Sequence, residues 1–357
     1  MLAARLHGPG HLTIEHVAEA RSPGPGEARL AVRTVGICGS DLHTFRHARI
    51  GETVVSEPLI PGHEFSAIVA DVGPGAVDGN GHPLAAGTRV AVDPAQPCGK
   101  CEICLRGDPN LCTAIHFCGL SPDHGCLVER MVVPSATCFP VPPEIDDASA
   151  ALLEPLGIAL HAVDLSHLRP GNTVLIIGAG PIGLLVLQAA KRAGAGEVFV
   201  MEKLPWRLGM AGNLGAIPLA ATGSEGVAML LKQTGGCGVD LVFEAAWAGE
   251  AIQDAVDAAK PGARLLLAGI PGDDTFSAKH STARRKGLTL LFVRRMKHTY
   301  PRAIELVRSG AIQTTPLVSH RFPLAEAPGA FALNAAYSEG VVKVLIDVAG
   351  NQASREK

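Results

Sequence analysis

Four cysteines fall within one short stretch that also carries Gly and Pro, Cys98-x2-Cys101-x2-Cys104-x7-Cys112. Four thiolates at that spacing make the ligand set of a closed tetrahedral zinc site, which leaves no position for a substrate and staples a loop poor in apolar residues. The chain has nine cysteines, an odd number, and their crowding points to metal binding rather than disulfides. A second ligand set is dispersed: Cys38 in Gly36-Ile37-Cys38-Gly39-Ser40-Asp41, His63 and Glu64 in Gly62-His63-Glu64, and Glu154 in Leu152-Leu153-Glu154-Pro155-Leu156. One sulfur, one imidazole and one or two carboxylates can hold zinc while a coordination position stays open for water or an alcohol. By spacing alone the alternatives stand level, because Cys38 equally reads as a small core residue and His63 as a histidine satisfied in the interior.

A third pattern concerns phosphate. Gly178-Ala179-Gly180-Pro181-Ile182-Gly183 follows the apolar run Val174-Leu175-Ile176-Ile177 and opens a helical pattern, so G-x-G-x-x-G stands in the strand-turn-helix setting it requires. Gly178 permits the tight turn, Gly180 lets the backbone approach a pyrophosphate, and Gly183 lets the helix pack closely on the strand, while Pro181 suits the first helical turn and Ile182 continues it. Glu202 follows Val198-Phe199-Val200-Met201 at the distance where an acidic residue accepts the ribose hydroxyls of NAD. A 2′-phosphate there would meet like charge, which favours NAD over NADP, although Lys203 and Arg207 lie close by in sequence.

These groups need two kinds of scaffold. The 357 residues are 47% hydrophobic and 18% charged, enough for about two globular domains of ordinary size and far from a disordered composition. The formal net charge of -3 and the lack of a basic stripe beyond Arg284-Arg285-Lys286 and Arg294-Arg295 argue against nucleic acid as a partner. The first residues carry His and Glu where an export signal needs an unbroken apolar run, and the apolar stretch 174–190 is interrupted by Gly178, Gly180, Pro181 and Gly183. Neither a signal peptide nor a membrane span is expected, and the cytoplasm is the expected compartment.

Short β-rich runs at 29–33, 66–70, 89–92 and 127–133, punctuated by Gly and Pro, suggest a partly open barrel. From Thr173 the pattern changes to strands at 173–177, 197–201, 216–219, 239–245, 263–268 and 288–293, with helices at 181–194, 205–214, 224–234 and 249–259. That alternation predicts a doubly wound parallel sheet. A helix at 300–309 and two strand-like runs at 316–322 and 341–348 follow. We expect no crossover helix between those two runs, and we expect the tail to return to the first domain.

The motifs Gly-Ile-Cys-Gly-Ser-Asp, Pro-Gly-His-Glu, the four-cysteine loop, Glu-Pro-Leu-Gly and Gly-Ala-Gly-Pro-Ile-Gly occur here in the order and spacing of the zinc-containing medium-chain dehydrogenases. The resemblance covers nearly the whole chain, and within that superfamily the chain is most similar to the sorbitol (polyol) dehydrogenases. His43-Thr44-Phe45, Phe117-Cys118, Pro122-Asp123-His124-Gly125, Arg295 shortly before Thr299-Tyr300-Pro301, and Val318-Ser319-His320-Arg321-Phe322-Pro323-Leu324 add to the likeness.

The resemblance implies an α/β chain with a GroES-like partly open β-barrel catalytic domain, 1–153 and 295–357, and a Rossmann doubly wound parallel-sheet domain, 154–294. It implies two zinc ions per subunit. The structural zinc would sit on Cys98, Cys101, Cys104 and Cys112, and the catalytic zinc on Cys38, His63 and Glu64, with Glu154 completing the shell or holding the zinc-bound water. Substrate positions map onto Phe117, Glu154 and Arg295, and Ser40 and His43 match a proton relay. The implied reaction is hydride transfer between NAD and a polyol or secondary alcohol, with a ketose or ketone as product, in a homotetramer.

Three positions depart from the pattern. Ala67 stands where glycine is usual, and Thr44 and Met296 stand where sorbitol dehydrogenases carry tyrosines that line the pocket. Loss of two phenolic hydroxyls changes discrimination among hydroxylated substrates. A threonine 3-dehydrogenase-like oxidation of a hydroxy amino acid is the alternative, since Arg295 suits a carboxylate as well as a hydroxyl. A non-enzymatic zinc-ribbon module fused to a nucleotide-sensing fold fits the acidic balance poorly.

Overall fold

The computed structural model describes residues 1–246, 248–272 and 275–348. The expected first-domain segment 295–357 therefore runs past the described residues at its end. The chain divides into two compact units, Met1–Glu154 with Tyr300–Gly310 and Thr314–Lys357, and Pro155–Thr299 with Ala311–Gln313.

The first unit is built around strand Glu27–Gly36. Its alternation buries Ala28, Leu30 and Val32, the period-2 pattern of a strand with one face in the core. Strand Glu64–Val72 pairs antiparallel along one edge, and Arg89–Val92 and Cys138–Pro140 follow outward. The other edge is shared: Arg130–Pro134 covers its first half, while Lys343–Asp347 pairs antiparallel with residues 34–36 and carries Val318–Pro323 beyond it. The strands Val318–Pro323 and Lys343–Asp347 thus return to the first unit's sheet. A hairpin of Leu2–Gly8 and His11–His16 completes the unit and is bridged to Val128 and Leu59.

The runs near 318 and 343 pair in parallel, which requires a crossover, and helix Ala327–Ala336 supplies it. This corrects the expectation of no helix there. Its buried residues Ala327, Ala330, Phe331 and Asn334 follow helical spacing, but its other positions are Pro, Gly, Leu and three alanines, so no polar face marks the period in the sequence. Helices Gly39–His47, Leu153–Ser166 and His280–Lys286 also lie outside the expected set.

The second unit holds a six-stranded parallel sheet. In space its strands run Ile217–Leu219, Val198–Met201, Val174–Ile177, Val239–Glu244, Ala259–Leu267 and Thr289–Phe292. Val174–Ile177 and Val198–Met201 are buried at every position, as strands covered on both faces must be. The order reverses between Val174–Ile177 and Val239–Glu244, which makes the crevice above their carboxyl ends the ligand position of this architecture. Among the described residues no helix is long and apolar enough to cross a membrane.

Candidate metal and cofactor sites

Sheet register assembles the dispersed ligands. Gly36 pairs with Glu64 on one side and with Leu345 on the other. Cys38 lies two residues beyond Gly36 and caps helix Gly39–His47, while Lys343 shares a strand face with Leu345 two residues away. Cys38, His63 and Glu64 each offer a ligand atom within 4.8 Å of the others. A sulfur, a nitrogen and an oxygen so close together suit a divalent zinc ion.

Asp41, unassigned in the sequence reading, organises this cluster. Its Oδ2 accepts the Cys38 N–H at 3.0 Å, its Oδ1 accepts the Gly62 N–H at 3.2 Å, and Oδ1 lies 3.3 Å from His63 Nδ1. The carboxylate thereby fixes the imidazole and presents Nε2 as the ligand nitrogen. Burial opposes a charge on His63, yet Asp41 and Cys38 outweigh it and raise its pKa well above the ordinary histidine value. A cluster that draws a proton against burial is one whose field calls for a cation.

Lys343 is the other residue the sequence reading missed. Its ammonium pairs with Glu64 Oε2 and donates to the Ile37 carbonyl at 3.0 Å, with both side chains at most 2% exposed. A Cβ on Gly36 would fall 2.2 Å from Glu64 Oε2 and 3.0 Å from Lys343 Cε, so the pair fits because position 36 carries no side chain. A lone lysine inside the apolar run 341–346 is the signal that could have found it.

Glu154 stands outside the set of close ligand atoms. It is buried near the start of helix Leu153–Ser166, and burial pushes its carboxyl up to about 8, with Glu64 and Asp93 adding to the rise and His63 and Lys343 opposing it. Ser40 Oγ lies 3.5 Å from His63 Nε2. His43 is buried rather than on the surface, its ring 6.1 Å from His47. Phe117 packs its ring 5.2 Å from that of His63.

The Thr44 hydroxyl is already committed, donating to the Ser40 carbonyl at 3.1 Å one helical turn back. In the second unit Met296 is buried, and its sulfur would lie 2.4 Å from a Cβ placed on Gly157. Arg295 beside it adopts a left-handed backbone, φ 55°, a conformation retained at a non-glycine residue only under local constraint.

The four-cysteine loop closes on itself. Cys101 Sγ lies 3.5 Å from Cys104 and 3.9 Å from Cys112, and Cys98 lies 4.0 Å from Cys104. A tetrahedron with Zn–S bonds near 2.3 Å has S···S edges of about 3.8 Å, so the sulfurs stand at the separations zinc requires. Backbone N–H groups of Lys100 and Cys101 point at Cys98 and hold its thiol down to about 6, the ligand-competent thiolate form.

At the glycine turn, Gly178 has φ 95°, and a Cβ on Gly183 would lie 1.9 Å from the Gly178 carbonyl. Gly180 caps helix Pro181–Arg192, whose first N–H groups face outward for an anion. Glu202 braces this turn: Oε2 accepts the Ala179 N–H at 2.8 Å and Oε1 the Leu204 N–H at 2.9 Å. Each oxygen keeps a lone pair for a ribose hydroxyl. Arg207 is buried with Nη1 3.6 Å from the Cβ position of Gly180, while Lys203 is exposed. The cradle fits a dinucleotide pyrophosphate.

Residues 24–143 match the family described as the alcohol dehydrogenase GroES-like domain, and residues 181–309 match the zinc-binding dehydrogenase family. The chain is 34% identical to sorbitol dehydrogenase of Homo sapiens over 334 residues, covering 92% of this chain and 91% of that one. It is 33% identical to L-idonate 5-dehydrogenase of Vitis vinifera, covering 85% and 83%. An Escherichia coli oxidoreductase of unknown specificity superposes with a TM-score of 0.90 at 30% identity, over 98% of this chain and 99% of that one. The chain is therefore a member of the zinc-containing medium-chain dehydrogenases, an alcohol oxidoreductase that uses zinc and NAD(P).

Proposed function

We propose that the protein oxidises a secondary hydroxyl of a polyol or simpler alcohol to a ketone, with NAD as the preferred acceptor. The observation that carries this reading is the cluster of half-buried Cys38 with buried His63 and Glu64, oriented by Asp41 and flanked by the buried carboxyl of Glu154. When bound, zinc supplies a Lewis acid that acidifies an alcohol, and NAD supplies the hydride acceptor. Cys38, His63 and Glu64 hold the metal. Glu154 would hydrogen-bond the water or alcohol beside the metal, a role suited to a carboxyl that burial raises to about 8 and so keeps largely protonated near neutral pH. Ser40, on the Nε2 side of His63, receives the hydroxyl proton, and His43 carries it on.

Glu202 supports the preference for NAD, since a 2′-phosphate beside its carboxylate would meet like charge, offset in part by the exposed Lys203 and by Arg207. Arg295, Phe117 and Glu154 remain the proposed substrate contacts. With the Thr44 hydroxyl bonded to Ser40 and Met296 packed on Gly157, neither position offers a free hydroxyl to a long polyol, so a substrate with fewer hydroxyls than sorbitol is favoured. Cytoplasmic homotetramers belong to the same reading, and sedimentation at the mass of one chain would contradict that assembly.

The test is NADH formation by zinc-replete protein against sorbitol, xylitol, galactitol, ribitol, glycerol, threonine and secondary alcohols, with NADP in parallel. Chelator-sensitive turnover of polyols or secondary alcohols supports the reading. Turnover of threonine alone would replace it with hydroxy amino acid oxidation, and activity only with NADP would overturn the role given to Glu202.

A further inference from the structure

We propose that Glu244 is a positioning residue for the nicotinamide half of the dinucleotide, bracing the two loops that receive it. The inference rests on the dinucleotide reading of the second unit. The glycine turn at the carboxyl end of Val174–Ile177 serves the pyrophosphate, and in a doubly wound sheet the other half of the ligand lies over the strands beyond the switch point. The first two of those strands here are Val239–Glu244 and Ala259–Leu267, and their turns begin with Ala245-Ala246 and Ala268-Gly269.

Glu244 binds both turns at once. Its Oε1 accepts the Ala246 N–H at 2.8 Å and its Oε2 the Gly269 N–H at 3.2 Å. Its own carbonyl accepts from Ala268 at 2.9 Å and Gly269 at 3.1 Å. The first turn also reaches the glycine cradle: the Ala245 N–H donates to the Ile177 carbonyl at 2.8 Å, and a Cβ on Gly178 would lie 2.8 Å from Ala246 N. On the far side, a Cβ on Gly269 would fall 2.0 Å from the Ala246 carbonyl and 2.6 Å from the carboxylate. The bracket therefore closes only with glycine at 269.

This arrangement is costly for the fold. Glu244 is 3% exposed and makes no ion pair among the described residues, and burial pushes its carboxyl up to about 7 while the two N–H groups hold it down. An apolar side chain would cost the core less. What the carboxylate adds is a fixed separation between two turns at the one end of the sheet where a ligand binds.

The test is binding, without alcohol present, of NADH and of ADP-ribose to the zinc-loaded parent and to Glu244→Gln. Glutamine can accept one N–H but turns its own amide hydrogens toward the other. One buried donor loses its partner, and NADH affinity should fall about tenfold. ADP-ribose, which lacks nicotinamide, should bind within twofold of the parent. Equal weakening of both ligands would reduce Glu244 to general scaffolding and overturn the proposal, as would unchanged NADH affinity. Gly269→Ala strains the same bracket from the opposite side and must show the same split between ligands, which keeps the proposal open to refutation if Glu244→Gln does not fold. A parent that binds neither ligand would remove the dinucleotide reading itself.

Discussion

Replacing Lys343 with methionine tests whether the buried pair with Glu64 holds the metal cluster together. Both side chains are at most 2% exposed, and the ammonium is the partner of Glu64 Oε2. Removing one member of a buried pair leaves the other charge uncompensated and costs about 3–5 kcal/mol. That is a large part of the stability of an ordinary domain, about 5–15 kcal/mol. The cost should be greatest in zinc-free protein and smaller with zinc bound, because a divalent cation beside Glu64 replaces the lost positive charge. Adding Glu64→Gln to Lys343→Met removes both charges, and the double variant should recover most of the loss in the zinc-free state, giving a coupling energy of about 2 kcal/mol or more. The pair raises the Lys343 pKa above the ordinary lysine value despite burial, so its contribution is complete below the ordinary lysine range and is lost only as pH rises through the raised value. The same loss should therefore appear at any pH from mildly acidic to mildly alkaline. Urea unfolding of the parent, Lys343→Met, Glu64→Gln and the double variant, with and without zinc, measures all of this. A Lys343→Met variant within about 1 kcal/mol of the parent in the zinc-free state would refute the reasoning.

Three further outcomes follow from the geometry. Cys104→Ser should lower zinc content from two ions per chain to one and expose residues 98–112 to proteolysis, as metal analysis and limited digestion would reveal; an unchanged zinc content would contradict the site. Glu202→Ala removes the acceptor of two backbone N–H groups and should weaken NADH binding about 10–100-fold. It should also lower the preference for NAD over NADP, and an unaltered ratio would sink that assignment. Burial raises Glu244 to about 7, so the native state holds more protons than the unfolded state between about pH 4.5 and 7, and this group makes stability fall as pH rises through that window, by up to about 3 kcal/mol. The difference in unfolding free energy between Glu244→Gln and the parent should therefore shift in favour of the variant from pH 5 to pH 8. A flat difference would contradict the pKa.

The motifs whose chemistry is local were legible in the chain. Four sulfurs at x2, x2 and x7 spacing are close enough along the chain to share one metal with little loop to close, and a glycine turn between an apolar strand and a helix carries its phosphate cradle in its own backbone. The alternation of strands and helices from Thr173 onward announced a parallel sheet for the same reason, since each element writes its period into adjacent residues. Helix Ala327–Ala336 escaped because its alanines blur the contrast between buried and exposed faces.

The cluster of Cys38, His63 and Glu64 was named from motifs and resemblance, but its assembly depended on tertiary pairing. Gly36 sits between Glu64 and Leu345 only because three strands distant in sequence share one register, and that register brings Lys343 onto Glu64 and Asp41 onto His63. The roles of Asp41, Lys343 and Glu244 likewise exceed what local spacing shows, since Asp41 and Glu244 each join a near neighbour to a distant segment and Lys343 meets Glu64. Each rests on a hydrogen bond or ion pair whose partner is brought near by the sheet, and burial then decides what the charge is worth. Residue types and short-range spacing thus determined which chemistry the chain can support. The long-range pairing of strands decided which charges share a low-dielectric interior, because that interior exists only once the sheets have closed around it.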